Sequence, residues 1–219
     1  MNDLHPSDLA EKADSEKDRH LQNGDVQQKD QTAIQANTVP AANQLKPSQA
    51  VTFERSLSGQ PGLRVLMAGN SITRHGPKPD IGWTVNWGMA ASAKEKDYVH
   101  LLMRHLRTLD PNVEICIAQM AGWEQQYWLG EAVLAQYWEA AAFAADLIIL
   151  RLGENVPRSR LEEHPFAPAY TAMLDFLDPQ HRAKVIITTC FWPAAGVDEA
   201  IREVARQRGC PLVELGSLG

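Results

Sequence analysis

From residue 63 onward the chain repeats one pattern: a short apolar run, a polar break, then a stretch with helical spacing. The runs are LRVLMAG (63–69), VEICIAQ (113–119), DLIILRLG (146–153), KVIITTCFW (184–192) and PLVEL (211–215), each five to nine residues long. Runs this short, rich in Val, Ile and Leu and bounded by turn residues, read as strands buried on both faces. Between them KEKDYVHLLMRHLRTL (94–109) places apolar residues at Tyr98, Leu101, Leu102, Leu106 and Leu109, which is helical spacing. EQQYWLGEAVLAQYWEAAAFAA (124–145), FAPAYTAMLDFL (166–177) and VDEAIREVARQRG (197–209) read as three further helices. Asp110-Pro111 stops the first helix and Gly209 stops the last. Five strands alternating with helices imply βαβ crossovers, hence an α/β fold with a mainly parallel sheet covered on both faces.

The pattern does not extend to the beginning of the chain. Residues 1–50 contain no aromatic residue and are rich in Gln, Asn, Asp, Glu, Lys and Ala; the first aromatic is Phe53. Such a stretch cannot bury enough apolar surface to offset the entropy of ordering it. The expectation is a disordered polar tail over 1–52 and a folded domain over 53–219. The net charge of −6 argues against nucleic acid or an anionic membrane as partner. No apolar run approaches the ~20 residues of a membrane span. The opening MNDLHPSDLAEKADSEKD has neither a basic nor an apolar region of the secretory type. Cys116 and Cys190 fall inside apolar runs and Cys210 precedes one, which suits reduced, buried thiols in a cytoplasmic protein. Their spacing does not suggest zinc, and no metal or cofactor is expected.

In a parallel sheet the functional residues gather in loops at the carboxyl ends of the strands. The first run ends in Gly69-Asn70-Ser71-Ile72-Thr73, the second in Met120-Ala121-Gly122-Trp123-Glu124, the third in Gly153-Glu154-Asn155. Together they offer a hydroxyl, backbone amides at glycines and a side-chain amide. These are the parts of acyl transfer: a serine attacks a carbonyl, and pre-aimed N–H groups hold the oxyanion that develops.

The block GNSIT after an apolar strand resembles the GDSL-like block of SGNH hydrolases, and Gly153-Glu154-Asn155 resembles the block that contributes that family's asparagine. The longer run GNSITRHGPKPDIGWTVNWGMAASAKEKDYVHLL (69–102) is similar to one bacterial esterase subgroup. The resemblance covers about residues 60–219. It implies a flavodoxin-like, three-layer α/β/α fold with a five-stranded parallel sheet. It implies Ser71 as nucleophile, with Ser71 N–H, Gly122 N–H and the Asn155 side chain forming the oxyanion hole. Ala121 is the alternative to Gly122 in the second block. Asn70 stands where an aspartate usually precedes the serine, and Val156 where one often follows the asparagine.

The family's fourth element, an Asp-x-x-His segment after the fifth strand, has no counterpart downstream of Asn155. The resemblance therefore implies a C-terminally truncated copy whose last helix and catalytic histidine are missing. His5, His20, His75, His100, His105, His164 and His181 all lie elsewhere. His75 is the nearest in sequence to Ser71, in a Gly-Pro loop.

Trp83, Trp87, Trp123 and Trp192 fall in loops expected at the active edge, whereas Trp128 and Trp138 are expected in the core. Aromatic faces beside a hydrolytic site suit sugar rings, so Trp83, Trp123 and Trp192 are candidate substrate-binding residues, with packing of the 74–93 insertion as the alternative. The leading expectation is an esterase acting on a small-molecule or O-acylated carbohydrate ester. The second is a non-catalytic remnant that binds a carbohydrate or acyl ligand. A nucleotide binder fits poorly, because no strand end carries G-x-G-x-x-G or G-x-x-x-x-G-K-[ST].

Overall fold

The computed structural model describes residues 50–56, 58–89 and 91–218. The expected tail therefore falls almost wholly outside the described residues. Six strands form one sheet: β1 (Val51–Glu54), β2 (Arg64–Gly69), β3 (Glu114–Gln119), β4 (Leu147–Arg151), β5 (Lys184–Thr188) and β6 (Leu212–Val213). Their spatial order is β1-β3-β2-β4-β5-β6. Strands β2 to β6 are mutually parallel and are the five expected from the sequence. β1 is a sixth, antiparallel to β3, with Val51 opposite Ala118 and Glu54 opposite Ile115. It takes in Val51 and Thr52, which the composition had left in the tail, and both Ala50 and Val51 are buried. The structured part thus begins before Phe53.

The chain leaves the central β2 in two directions. It passes first to β3 on one side, through helix α1 (Tyr98–Leu109), and then to β4, β5 and β6 on the other. Parallel crossovers are right-handed, so reversing direction across the sheet places the connecting helices on opposite faces. On one face α1 packs Val99 and Met103 against Val65, Met67, Ile115, Ile117 and Ile149. On the other face Leu66, Ala68, Cys116, Ile148, Leu150 and Ile187 meet the remaining helices. Those helices are α2 (Ala121–Gln126), α3 (Glu131–Leu134), α4 (Trp138–Ala142), α5 (Phe166–Leu177) and α6 (Ala195–Arg208).

Local sequence explains the helix ends. The Asp97 carboxylate accepts the His100 N–H at 2.7 Å and starts α1. Gly209 ends α6 in the left-handed conformation, at φ 62°.

The single helix expected over 124–145 is instead a chain of short turns. Three-residue 3-10 segments at Tyr127–Leu129 and Ala135–Tyr137 interrupt it, and Gly130 (φ 58°, ψ −128°) breaks it outright. These breaks turn Trp123, Tyr127 and Tyr137 into the core and leave Trp138 61% exposed, against the expectation for that tryptophan. On the α1 face the cover thins toward the far strands: Leu147 and Ile186 are half-buried and Val213 is exposed. Among the described residues no helix is long and apolar enough to cross a membrane.

Candidate active site

β2 is the point at which the strand order reverses, and the carboxyl ends of β3, β2 and β4 stand side by side there. Gly69 pairs with Gln119 on one side and Arg151 on the other. A Cβ at Gly69 would lie 1.8 Å from Thr73 Oγ1 and 2.9 Å from the Arg151 carbonyl oxygen, so only glycine fits. Beyond it the chain turns tightly around Asn70. The Asn70 carbonyl accepts the N–H groups of Thr73 (3.0 Å) and Arg74 (3.1 Å), and its Oδ1 accepts the Ile72 N–H at 3.2 Å. This turn carries Ser71 onto the sheet edge, half-buried, with its carbonyl held by the Met89 N–H at 3.0 Å.

A buried polar network lies beneath the turn. Asn70 Nδ2 donates to Glu154 Oε2 at 2.7 Å and to Glu124 Oε1 at 3.3 Å. Asn70 Oδ1 also accepts from Arg151 Nη1 at 3.2 Å. Arg151 Nη2 donates to Glu154 Oε1 at 2.7 Å, and the Phe191 N–H reaches the same oxygen at 3.1 Å. Glu124 is fully buried and accepts from the Gly153 N–H and from Asn155 Nδ2, the latter at 2.6 Å. Burial pushes the Glu124 carboxyl up to about 7. The donors Asn155, Gly153 and Asn70 pull it down, and the neighbouring Glu154 charge pushes it further up. The network ties the ends of β2, β3, β4 and β5 into one piece.

Sequence reasoning placed Ser71, Gly122 and Asn155 at this edge but assigned no role to Glu124, Asn70 or Arg151. A signal existed for Arg151: it is a cation inside the most apolar run, and such a residue is buried only when paired. Glu124 carried a weaker one, as a carboxylate in a strand-end turn.

Two N–H groups at this edge have no acceptor among the described residues. The Ala121 N–H is committed to Gln119 Oε1 at 3.3 Å. Among the described residues no acceptor faces the Gly122 N–H or the Ser71 N–H, and no partner faces Ser71 Oγ. Of the two alternatives in the second block, Gly122 is therefore the one with a free donor. A Cβ at Gly122 would meet nothing closer than Tyr137 Oη at 3.5 Å, so packing does not demand glycine there. Asn155 uses one Nδ2 hydrogen on Glu124 and keeps a second.

Four of the described histidines have other neighbours. His75 Nδ1 lies 2.6 Å from the Gly76 carbonyl, in a loop bridged to Trp87. His100 Nδ1 pairs with Asp97 at 2.8 Å. His164 stacks on Trp128 with ring centres 5.6 Å apart, and its carbonyl accepts the Tyr127 hydroxyl at 2.5 Å. His181 lies beside Asp175 and Arg208. Among the described residues no histidine hydrogen-bonds to Ser71.

The tryptophans divide. Trp123 is 0% exposed and packs against Phe166 and Tyr170, so it belongs to the core rather than to an open substrate wall. Trp83 donates Nε1–H to the His75 carbonyl at 3.1 Å and meets Trp87 edge-on at 6.0 Å, which packs the 74–93 insertion on itself. Trp192 is 60% exposed. It follows Phe191, whose N–H is tied to Glu154, and Asp198 fixes the loop through the N–H groups of Cys190 (2.9 Å) and Ala194 (2.7 Å). Trp192 is thus the tryptophan presented to solvent next to the network. Comparison with protein-family models, curated proteins and solved structures finds no match to this chain, so the reading of this edge rests on its geometry.

Proposed function

We propose that this sheet edge is an acyl-transfer site of the SGNH, GDSL-like kind, acting on acyl esters through Ser71. The observation that carries the reading is the set of donors with no acceptor among the described residues, Ser71 N–H, Gly122 N–H and the second Asn155 N–H, at the edge that presents a Ser71 hydroxyl with no described partner. The parallel strands β3-β2-β4-β5-β6 follow the 2-1-3-4-5 order of flavodoxin-like sheets, which supports the three-layer reading, and the edge proposed as the site is the switch point of that order.

In the proposed reaction Ser71 Oγ bonds to the ester carbonyl carbon while the carbonyl electron pair moves onto oxygen, where the three N–H groups hold it. The intermediate collapses by expelling the alcohol, which takes up a proton lost from Ser71. Water then cleaves acyl-Ser71 to release the acid. The exposed Trp192 ring favours an ester carried on a sugar, whose apolar face can lie against it. Among the described residues no histidine bonds to Ser71, and without a general base the first step forgoes a gain of ~10²–10⁴-fold. An oxyanion site and binding alone still give a triad enzyme ~10³–10⁴ over water. The chain as it stands should therefore acylate slowly.

The second reading is ligand binding without turnover at the same edge, and the observation in its favour is that no described histidine bonds to Ser71. Release of 4-nitrophenol from 4-nitrophenyl acetate, together with intact-mass detection of an acetyl adduct, separates the two. Wild type should form an adduct that maps to Ser71, and Ser71→Ala should form none. An alanine variant that keeps most of the rate would rule out Ser71 as nucleophile. Absence of any adduct in both proteins would leave the binding reading.

A further inference from the structure

We infer that Glu124 is a positioning residue for the oxyanion site, holding the Asn155 side-chain amide in a single orientation and so fixing where its second N–H stands for the reacting carbonyl oxygen. The inference rests on the acyl-transfer reading of Ser71. It starts from an anomaly of cost. A fully buried carboxylate is expensive, and no cation is seen to bond it directly among the described residues; Arg151 reaches it through Asn70. A tie between strand ends needs no charge, since an amide or hydroxyl would serve.

What a carboxylate adds is that it can only accept. Asn155 has two faces of nearly equal shape, Oδ1 and Nδ2, and a neutral partner such as Gln tolerates either. Against an ionised Glu124 only Nδ2 can turn toward Oε2, as it does at 2.6 Å. The same carboxylate takes the Gly153 N–H, two residues before Asn155, and Asn70 Nδ2, the residue before Ser71. The nucleophile's turn and the amide donor are therefore registered against one group. If Glu124 takes up a proton, its O–H becomes a donor and the Asn155 amide is satisfied by turning Oδ1 inward, which moves its free N–H.

The groups facing Glu124 permit this to be read by pH. They are Glu154 and, through Asn70, Arg151 from β4 and its loop, Tyr137 from the turn before α4, Tyr170 from α5, and Cys190 after β5. Burial raises Tyr137, Tyr170 and Cys190 well above their ordinary values, so all three keep their protons between pH 5 and 9.

The test uses the full chain and a fluorophosphonate probe, which phosphonylates an active serine as the fluoride leaves; peptide mass spectrometry locates the adduct. Labelling of Ser71 should be slower in Glu124→Gln by about tenfold or more, within reach of the ~10²–10³ lost with a whole oxyanion donor. In an Asn155→Ala background the same substitution should change the rate by less than about twofold, because the two act as one unit. The ratio of wild-type to Glu124→Gln rates should climb as pH rises through about 7. A ratio that is flat and near one from pH 5 to 9, with Ser71 labelled in both proteins, would overturn the role of Glu124 and leave Ser71 standing. No labelling of wild-type Ser71 would overturn both. Should Glu124→Gln fail to fold, the wild type still decides. Its Asn155 side-chain amide NMR signals, assigned by their loss in Asn155→Ala, should shift across the same pH range, and unmoving signals would sink the inference.

Discussion

Glu124 holds its proton more tightly in the folded chain than at its ordinary value of 4.5, because burial disfavours the charge. The sign of the linkage follows. Its contribution to stability is fully present below about 4.5 and is lost as pH rises through about 7, where the folded chain must ionise a buried group. The melting temperature of wild type relative to Glu124→Gln should therefore fall between pH 5 and 8, by the equivalent of up to about 3 kcal/mol for a shift of this size. A difference that is constant with pH would show that Glu124 does not titrate in that window. Taking the Gln variant as reference cancels the separate acid losses from Asp97, Asp110 and Asp146, whose pKa values are lowered. Gly153 offers a second residue-scale check. It sits at φ 141°, and a Cβ there would lie 2.4 Å from Cys190 Sγ. Gly153→Ala should cost about 2 kcal/mol or more in chemical denaturation, from backbone strain and the clash together. Ser71 and Asn155 stood out in the chain as candidates because each lies two residues past an apolar run. The tie between them did not, because it runs through Glu124, 53 residues after Ser71 and 31 before Asn155.

The elements were legible where one residue sets a boundary. α1 ends before Asp110-Pro111, α6 stops on Gly209, and α5 matches its expected span over 166–177, whereas the start of α1, expected at 94, lies at Tyr98 behind the Asp97 cap, with Lys94–Lys96 a separate 3-10 turn. The stretch 124–145 was misread because alanines and aromatics give a helical signal whichever way the backbone is aimed. Three of its aromatic rings, Trp123, Tyr127 and Tyr137, had to reach the sheet, and packing of that kind overrides propensity. Gly130 is where the chain is re-aimed, in a conformation that side chains rarely adopt. Gly130→Ala has open space for its Cβ, so its cost isolates the backbone term. It should lower stability by ~1–3 kcal/mol without filling or emptying the core. A variant as stable as wild type by thermal melting would mean that the break can relax. β1 was missed for the opposite reason: VTFE follows fifty residues without an aromatic, and four residues are too few to show a period.

At the scale of the whole molecule, layer, sheet order and site belong to one arrangement. Leaving β2 in two directions puts α1 on one face and the other helices on the opposite one, and sets side by side the strand ends after which Ser71, Glu124 and Asn155 follow. The pairing of β1 with β3 has a consequence for how the protein is kept from its own kind. β3 is apolar through Ile115, Cys116, Ile117 and Ala118, and without β1 its outer backbone groups would be an open template for a strand from another molecule. A chain beginning at Ser56 should melt lower than one beginning at Ala50, and should scatter light increasingly with concentration, whereas the longer chain should not. Equal solubility of the two would show that β3 needs no such guard. Four residues beside a stretch of polar sequence then decide whether the sheet ends in this molecule or continues into the next.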